Sequence, residues 1–274
     1  MPDYRFELAT HEPAELEKLS ELFRLVFPHA RHLTPRYLQW NYLDNPDGRA
    51  VACNAWLGDA LVGHMSAQAM QARLAGRSER GLFFQNGAIH PDHRGRRLQS
   101  EISARMFEEA ARDYSFAVGA GNKYSTGPLL TRFKMVRPME ARIGLGLPVR
   151  RADAPAASFE RSWSEEALQW RLANPEARYG VRGGAVLAAT GTPGFAAVLH
   201  DTSGLPDAGA APPGPLRVWI GADPAIDWRR SRFLSIPKRL RRSPLNLVFR
   251  DLTGAGRLPD PDRFVWRAID FDPW

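Results

Sequence analysis

The sequence predicts an α+β protein built from two lobes, the second smaller than the first. Stretches with the apolar spacing of helices alternate with short strand-like runs along the chain. Of its 274 residues, 44% are hydrophobic and 24% are charged, close to the average of soluble globular proteins. A segment of the first half is also echoed in the second half. Together these features predict a folded chain with a sizeable core.

The first half carries strand and helix signals in alternation. Pro28 ends the first helical pattern, because proline lacks the backbone N–H that a helix needs. Thr34 and Pro35 are typical of an N-cap followed by a first-turn proline. The predicted elements are a strand over 4–8, a helix ending at 28, a helix from 35 to 45, strands over 51–57, 60–74 and 82–89, a helix of about fifteen residues from 98, a strand over 116–119, a short helix over 128–133 and a strand or hairpin arm over 136–147.

The composition changes to Arg, Ala and Pro between Val149 and Ser158, which predicts a domain boundary. Beyond it, Ser164, Leu168-Gln169-Trp170 and Asn174-Pro175 echo the residues of the Thr34 helix and its Asn-Pro end. The echo indicates an internal duplication, although two unrelated capped helices would give the same pattern. The predicted domains cover 1–148 and 159–274, with a linker over 204–215 and strands over 216–220, 246–250 and 264–271.

Composition also narrows the classes of function. Cys53 is the single cysteine, which excludes an intramolecular disulfide framework, and the scattered histidines lead us to expect no metal. No run approaches the ~20 apolar residues of a membrane span, and residues 1–5 lack the pattern of a leader, so the expected location is the cytoplasm. The formal charge of +7 indicates an anionic ligand, an acidic partner or a membrane surface as readily as nucleic acid.

The most informative segment lies between Phe84 and Ala110. A strand ends in Ile89-His90-Pro91, the chain turns through 92–97, and an amphipathic helix begins near Leu98. Free backbone N–H groups at a helix N-terminus suit an anion such as a pyrophosphate. The turn adds three cationic side chains at that point, although a solvated basic turn would contain the same residues: Arg94, Arg96 and Arg97.

Together with Asn122, Ser125, Gly127 and Phe133, this segment resembles the coenzyme A binding unit of the GNAT acyltransferase superfamily, over about residues 3–147. The family's turn reads Gln/Arg-x-x-Gly-x-Gly/Ala; here Gly95 matches, Asp92 replaces the first residue and Arg97 the last. The resemblance implies a mixed sheet flanked by helices and acetyl-CoA as co-substrate. It places the cofactor against Ala88, Ile89, Arg94, Gly95, Arg96, Arg97, Leu98, Gln99 and Asn122.

Acyl transfer to an amine requires a general base, a stabilised oxyanion and a protonated leaving thiolate. The resemblance implies an oxyanion donor among the backbone N–H groups of Gly87 to Ile89. The family's tyrosine that protonates the thiolate aligns with Leu130, and Tyr124 is the nearest substitute. No carboxylate occupies the usual place of the base, which leaves His64 and His90 as candidates; each of these three residues could equally be structural.

The second half has no Arg-Gly turn between a strand and a helix, so the resemblance implies a degenerate GNAT-like lobe that shapes the acceptor groove. The run from Arg229 to Arg242 contains seven basic residues and no acid. It indicates an anionic acceptor, an anionic membrane or a solvated face, with Arg239, Arg241 and Arg242 as the residues expected to hold the anion. Nucleic acid is not expected, because few aromatic residues interleave the cations.

The sequence therefore predicts an N-acyltransferase that moves a short acyl group from acyl-CoA to an amine. An amino sugar, as in surface polysaccharide assembly, is the first candidate acceptor, followed by a peptide or another small amine. The alternative is a non-catalytic protein of the same fold that binds coenzyme A as a regulatory ligand and uses its basic surface for a partner.

Overall fold

The computed structural model describes residues 3–145, 149–201, 207–209, 212, 214–241 and 243–271. The first half of the chain forms seven strands and four helices in these residues. The strands are β1 (Arg5–Leu8), β2 (Val51–Leu57), β3 (Ala60–Leu74), β4 (Arg77–Ile89), β5 (Phe116–Gly121), β6 (Lys134–Pro138) and β7 (Glu140–Leu145). The helices are α1 (Pro13–Val26), α2 (Pro35–Tyr42), α3 (Leu98–Ala110) and α4 (Thr126–Leu129).

The second half adds strands and two short helices. The strands are β8 (Phe159–Ser162), β9 (Tyr179–Arg182), β10 (Ala185–Ala189), β11 (Phe195–Asp201), β12 (Leu216–Ala222), β13 (Phe233–Ser235), β14 (Asn246–Asp251) and β15 (Phe264–Arg267). The helices are α5 (Glu165–Leu172) and α6 (Ala268–Phe271). Fifteen strands of the described residues join in one mixed sheet, which helices flank.

The two halves repeat one strand order. In the first, β2, β3 and β4 form an antiparallel meander, and β5 then runs parallel to β4. In the second, β9, β10 and β11 form the same meander, and β12 runs parallel to β11. This repetition extends the sequence echo from one helix to a whole supersecondary unit.

The halves also exchange strands. From the second half, β14 inserts between β5 and β6 of the first. From the first half, β7 inserts between β12 and β13 of the second. Strand pairing therefore crosses the predicted domain boundary in both directions, and the domain ranges themselves stay a prediction.

Burial of apolar stripes explains the positions of the helices. The α3 residues Leu98, Ile102, Met106 and Ala110 recur every fourth position and are buried against one face of the first sheet. Helices α1 and α2 cover the other face. A cluster of aromatic residues forms the core where the two halves meet: Phe116, Phe159, Phe249, Phe264 and Trp266.

The echoed helices α2 and α5 meet each other directly. The rings of Trp40 and Trp170 stack with centroids 4.7 Å apart. The indole N–H of each tryptophan donates to the backbone carbonyl of the other, at 3.0 Å in both directions. Thr34 and Ser164 are the N-caps of their helices, as the sequence predicts. The repeated Leu-Gln-Trp segment thus forms a symmetric contact between the halves.

Most predicted elements match within about three residues, as for α2, which ends at Tyr42 rather than at residue 45, and four differ more from the structure. Strand β4 begins at Arg77 rather than at residue 82, because a tight turn at Ala75 and Gly76 lets the hairpin arms continue beyond the core. The predicted helix over 128–133 is instead α4, which starts earlier because the Asn122 side chain caps the preceding turn.

The other two differences concern places where a predicted strand is divided. The arm over 136–147 is two strands, β6 and β7, separated after Pro138, and residues 146 and 147 lie outside the described part. The strand over 264–271 ends at Arg267, whose backbone N–H donates to the Asp270 carboxylate at 2.6 Å as the chain turns into α6.

Within the described ranges, none of the helices combines the length and apolar composition that crossing a membrane requires. No group of three or more His, Cys, Asp or Glu side chains in the same ranges is arranged to hold a metal ion. The predicted linker over 204–215 is described only at 207–209, 212, 214 and 215.

Candidate active site

Strands β4 and β5 separate at one end, and this opening is the centre of the candidate site. They pair in parallel from Gly81 opposite Phe116 to Phe84 opposite Gly119. Beyond Phe84, β4 continues to Ile89 beside β3, whereas the pairing with β5 stops. The edge of β5 at Ala120 and Gly121 therefore has no β4 partner, and an extended ligand can enter between the strands.

A β-bulge in β4 accompanies this separation. The register against β3 shifts between His64, which lies opposite Ala88, and Ser66, which lies opposite Gln85. Asn86 occupies the extra position with a φ of 52°, a left-handed conformation that asparagine adopts more readily than most residues. Bulges bend a strand away from its neighbour, so the bulge explains why β4 leaves β5 here.

The bulge directs one backbone amide into the opening. The N–H of His90 donates to the Val62 carbonyl on β3 at 2.9 Å. Because backbone groups alternate along an antiparallel strand, the amide of Ile89 faces away from β3. The Ile89 carbonyl accepts from Arg94 Nε at 3.4 Å, which agrees with this orientation. Ala88 lies opposite His64, so the same alternation turns its N–H toward β3, and of these two amides only that of Ile89 faces away from β3.

The turn after β4 forms the N-terminal end of α3. Gly95 has a φ of 74° and Arg97, the N-cap residue of α3, has a φ of 61°. These left-handed conformations turn the chain into the helix and leave the first amides of α3 without intrahelical partners. Arg94, Arg96 and Arg97 are exposed there, and Arg96 Nη1 donates to Tyr4 Oη at 3.3 Å. The arrangement suits a phosphate or pyrophosphate group.

A cavity of about 120 Å³ continues from this turn along the inner side of α3. Its walls come from β3, β4, α3, α4 and the segment after α4: Met65, Phe84, Gln99, Ser100, Ser103, Phe107, Pro128, Leu129, Thr131, Arg132 and Phe133. Gln99 is exposed at its mouth, whereas Leu98 is buried beneath the helix. The cavity is lined by both polar and apolar side chains.

Two predicted residues lie in the loop after β5. The Asn122 side-chain oxygen accepts from the N–H groups of Tyr124 and Ser125, at 2.8 and 2.9 Å, so this residue shapes the loop before α4. Tyr124 is 77% exposed, and the Lys123 ammonium lies 4.7 Å from its ring centroid. Tyr124 is therefore accessible to a ligand, and no described residue holds its hydroxyl in a fixed position.

His64 lies in a buried hydrogen-bonded network on the α2 side of the sheet. Its Nδ1 is 2.6 Å from Asn54 Oδ1 and its Nε2 is 3.2 Å from Tyr42 Oη. Since an amide oxygen only accepts, Nδ1 carries the proton and Nε2 accepts from the tyrosine hydroxyl. Burial, together with repulsion by His11, lowers the pKa of His64 well below its ordinary value. His64 is thus neutral and has no contact with solvent.

Sequence reasoning missed the residues that link this network to the bulge. Tyr42 is fully buried, and its hydroxyl accepts from Ser66 Oγ and from Asn86 Nδ2, both at 3.0 Å. Burial raises the pKa of Tyr42 above its ordinary value, so the hydroxyl stays protonated. Gln85 donates to Asn41 Oδ1 on α2. The Asn-Gly pair at 86–87, a turn signal inside a strand, is the feature that could have indicated the bulge.

His90 lies half-buried at the end of β4, next to the basic turn. Its Nδ1 accepts from the Asp92 N–H at 3.3 Å, and its ring packs against His93 with centroids 5.2 Å apart. The structure therefore brings His90 to the opening, places Tyr124 at the loop beside it and keeps His64 behind β4. The catalytic roles of all three residues stay predictions.

Comparison with known proteins gives matches at the level of structure. No protein-family model matches the sequence, and no curated protein is significantly similar to it. A probable N-acyltransferase of Enterococcus faecalis V583, described as a conserved protein of unknown function, is 10% identical and aligns with a TM-score of 0.64 over 92% of this chain and 73% of that chain. A GCN5-related N-acetyltransferase from Anabaena variabilis is 10% identical, with a TM-score of 0.62 over 90% of this chain and 73% of that one.

A third structure, a GCN5-related N-acetyltransferase from Kribbella flavida, is 12% identical and has a TM-score of 0.57 over 91% of this chain and 72% of that one. At such identities the similarity concerns the fold. The chain has the fold of the GCN5-related N-acetyltransferase (GNAT) superfamily, and the matches extend over both halves. The fold expected from the sequence is confirmed.

Proposed function

We propose that this protein is an N-acyltransferase that transfers a short acyl group from acyl-CoA to an amine. The observation that carries the proposal is the opening between β4 and β5, which joins the Gly95 turn and the cavity beside α3. The residues present suit the co-substrate, because a basic turn with free amides lies at one end of the opening and an inward-facing amide lies at the other. The GNAT fold supports the same conclusion.

Each step of acyl transfer has candidate residues in this site. The turn from Arg94 to Leu98 would hold the pyrophosphate through backbone amides and guanidinium groups. Bound acyl-CoA supplies a thioester, and the amine nitrogen forms a bond to its carbonyl carbon as the carbon–sulfur bond breaks. The Ile89 N–H is positioned to stabilise negative charge on the carbonyl oxygen. Tyr124 or solvent would return a proton to the leaving sulfur, and His90 would accept the proton that the amine loses.

The acceptor would approach from the α2 side of β4, where polar groups cluster. Gln85 and Asn86 are half-buried there and are held by Asn41 and Tyr42. Neutral hydrogen-bonding groups suit an uncharged polar acceptor, which supports an amino sugar before a peptide. The positioned amides would bind hydroxyl groups and leave the amine at the opening.

The test measures free thiol released from acetyl-CoA by the full chain in the presence of amino sugars, peptides and small amines. We expect release that depends on one class of amine and the corresponding N-acyl product by mass spectrometry. Binding of coenzyme A without thiol release for any amine would support the alternative, a non-catalytic protein with coenzyme A as its ligand. The burial of His64, whose two ring nitrogens are both already hydrogen-bonded, favours that alternative because it removes one candidate base.

A surface formed by β7 of the first half and the segment from β13 to Leu240 of the second supports contact with an anionic membrane that presents the acceptor. Leu234 on β13 lies opposite Ile143 on β7, and Leu145 shares the face of Ile143. Leu145, Leu234 and Leu240 are 61%, 75% and 67% exposed. Cations surround them, and a face of exposed apolar side chains among cations suits the surface of anionic lipid. A second copy of the chain suits this surface less well, because the cations of the two copies would repel each other.

The cations of this surface differ in role. Arg232, Lys238 and Arg239 are exposed, and within the described residues none of them pairs with a carboxylate. Arg241 instead donates to the carbonyls of Ile236 and Met139, at 2.8 and 3.2 Å, so it supports the loop. Arg242 lies outside the described residues. The three free cations therefore replace the predicted set of Arg239, Arg241 and Arg242 as the ones to test.

A further inference from the structure

A second cavity, of about 320 Å³, lies beside the candidate cleft between the segment after α4 and strand β14. It shares Thr131 and Arg132 with the cavity along α3. Its volume is in the range of small-ligand sites. The lining is dominated by cations: Thr131, Arg132, Lys134, Phe249, Arg250, Asp251, Gly256 and Arg257.

One of the four cations is neutralised by the protein itself. Arg257 contacts both carboxylate oxygens of Glu79, at 2.9 and 3.0 Å, and Asp251 Oδ1 at 2.9 Å. Hydrogen bonds from Thr253 and Arg257 lower the pKa of Asp251 to about 2, so the carboxylate stays ionised. Arg257 and its two carboxylate partners together carry one formal negative charge, which the three remaining cations of the lining outnumber.

The other three cations, Arg132, Lys134 and Arg250, have no carboxylate partner among the described residues. Arg132 donates from Nη2 to the Ser100 carbonyl at 2.8 Å, and Arg250 donates from Nη1 to the Arg132 carbonyl at 3.4 Å. The Arg250 guanidinium lies 4.4 Å from the centroid of the Phe107 ring. These contacts orient the two arginines without neutralising them.

Keeping like charges together is unfavourable unless something compensates. Partial burial and the charge of Arg132 lower the pKa of Arg250 from its ordinary value. A bound anion would relieve this repulsion, and arginine forks suit the oxygens of phosphate in particular. Stacking on Phe107 and hydrogen bonds to backbone carbonyls hold the two arginine side chains at the wall of the cavity.

We propose that this cavity is a binding site for a phosphate-class anion, held by Arg132, Lys134 and Arg250. The proposal goes beyond acyl transfer and does not require it, because the site is defined by its own cations. Two sources share the chemistry: the 3′-phosphate of coenzyme A in the adjoining cleft, and a separate phosphorylated small molecule.

The test is calorimetric titration of the full chain with inorganic phosphate at constant ionic strength, with chloride as the balancing anion. We expect saturable binding that weakens about tenfold in Arg250→Gln and in Lys134→Gln, because each loses one charge-assisted contact. Arg77→Gln, at the exposed β3–β4 turn, is the matched control and should bind as the wild type does. Circular dichroism establishes that each variant is folded. Binding that is not saturable in the wild type, or that is as tight in Arg250→Gln and Lys134→Gln as in the wild type, overturns the proposal.

A comparison of coenzyme A with dephospho-coenzyme A distinguishes the sources. If the 3′-phosphate is the anion, the wild type binds coenzyme A more tightly and Arg250→Gln removes the difference. If the anion is separate, inorganic phosphate still binds to protein saturated with coenzyme A. The readouts are binding constants, so a failure of catalysis and a failure of this site remain distinguishable.

Discussion

The two halves share a strand order but differ where a ligand would enter. In the first half, β5 pairs with β4 up to Gly119, and the following edge is free of β4. In the second half, β12 pairs with β11 up to Trp219, and β15 then takes the vacant edge at Gly221 and Ala222. A register shift in the β10–β11 pairing, between Val186 and Leu187, even repeats the bulge. The second half therefore has the strand arrangement of the first, but β15 pairs with the edge of β12 that would otherwise be open.

Buried ion pairs also hold β15 in place at the second opening. Arg267 on β15 donates to the buried Asp223 at 2.9 Å and contacts Glu160 at 2.8 Å. Arg151 contacts the same Asp223 carboxylate at 3.1 Å. The first half places a helix, α3, after its bulged strand, whereas the described residues of 202–215 contain no helix. The same strand order therefore does not by itself leave an open edge, because β15 occupies in the second half the edge that is free in the first.

The largest expected effect comes from separating the halves. Deleting residues 150–274 removes β14, whose Leu247, Val248 and Phe249 are fully buried between β5 and β6. We expect an insoluble or unfolded product, since β5 and β6 lose their shared neighbour and expose an apolar edge. Soluble expression and circular dichroism measure this. A soluble, fully active fragment of 1–148 would show that the first half needs nothing from the second.

The second prediction concerns the turn that distinguishes the open cleft. Gly95→Val should abolish most of the thermal stabilisation by acetyl-CoA, which reaches about 2.7 kcal/mol at a hundredfold excess over the dissociation constant. A Cβ at Gly95 meets nothing within 4 Å, so the cause is the φ of 74°, which a β-branched residue resists and which orients the amides.

Gly58→Val is the matched control for this turn. Gly58 has a φ of 56° and open space around a Cβ, but it lies in the β2–β3 turn. Both variants should lose about 1–2 kcal/mol of stability from the left-handed conformation. Only Gly95→Val should lose the ligand shift, and an unchanged shift in that variant would remove the turn from the site.

The third prediction concerns the pH dependence of stability that His200, near the closed second opening, should cause. Burial, with repulsion from Arg267 and Arg151, lowers the pKa of His200 to about 4. The folded protein keeps His200 neutral, whereas the unfolded chain binds a proton there below its pKa of about 6.5. The free energy of unfolding is therefore at its full value above about pH 6.5 and decreases as the pH falls from there toward 4. The loss should reach about 3 kcal/mol at most.

Denaturant unfolding at pH 7 and pH 4.5 measures this dependence. His200→Gln should make it shallower, and His29→Gln, an exposed position, should not. If wild type and His200→Gln lose equal stability between the two pH values, His200 does not titrate as its burial implies.

The last prediction concerns the exposed surface around β7 and β13, where the expected effect per residue is the smallest. The triple variant Arg232→Gln, Lys238→Gln and Arg239→Gln should weaken binding to vesicles of anionic lipid by about 1 kcal/mol per charge. The effect should fade as salt rises, because the Debye length is about 8 Å at physiological ionic strength. Acetyl-CoA binding should be unchanged. Sedimentation with vesicles measures this, and salt-independent binding in both proteins would argue against the membrane surface.

Much of the fold could be predicted because its signals are local. The bounds of the hairpin strands β2 and β3 follow from two apolar runs around Gly58-Asp59, and the start of α3 follows from a stripe at every fourth residue. Thr34 and Ser164 cap their helices as expected because capping involves groups only three residues apart. Boundaries shifted where a side chain accepts from a backbone N–H two or three residues away, as at Asp270 and Asn122, because apolar spacing does not indicate such contacts.

The candidate site was predicted only in part. The basic turn and Asn122 follow from a short motif, but the orientation of Ile89 depends on pairing with β3 and on the bulge at Asn86. The network around His64 joins residues from α2, β2, β3 and β4, which lie far apart in the sequence. The spacing of residues along the sequence does not indicate contacts between such distant segments.

The sequence by itself determined the alternation of elements, the echoed helices and the Gly95 turn, since each depends on residues within one or two turns of chain. The tertiary structure alone decided that β7 and β14 change places between the halves and that β15 closes the second opening. The physical reason is that strand pairing satisfies backbone hydrogen bonds, which are the same for every residue. Which strand occupies a free edge is therefore settled by the packing of the whole sheet.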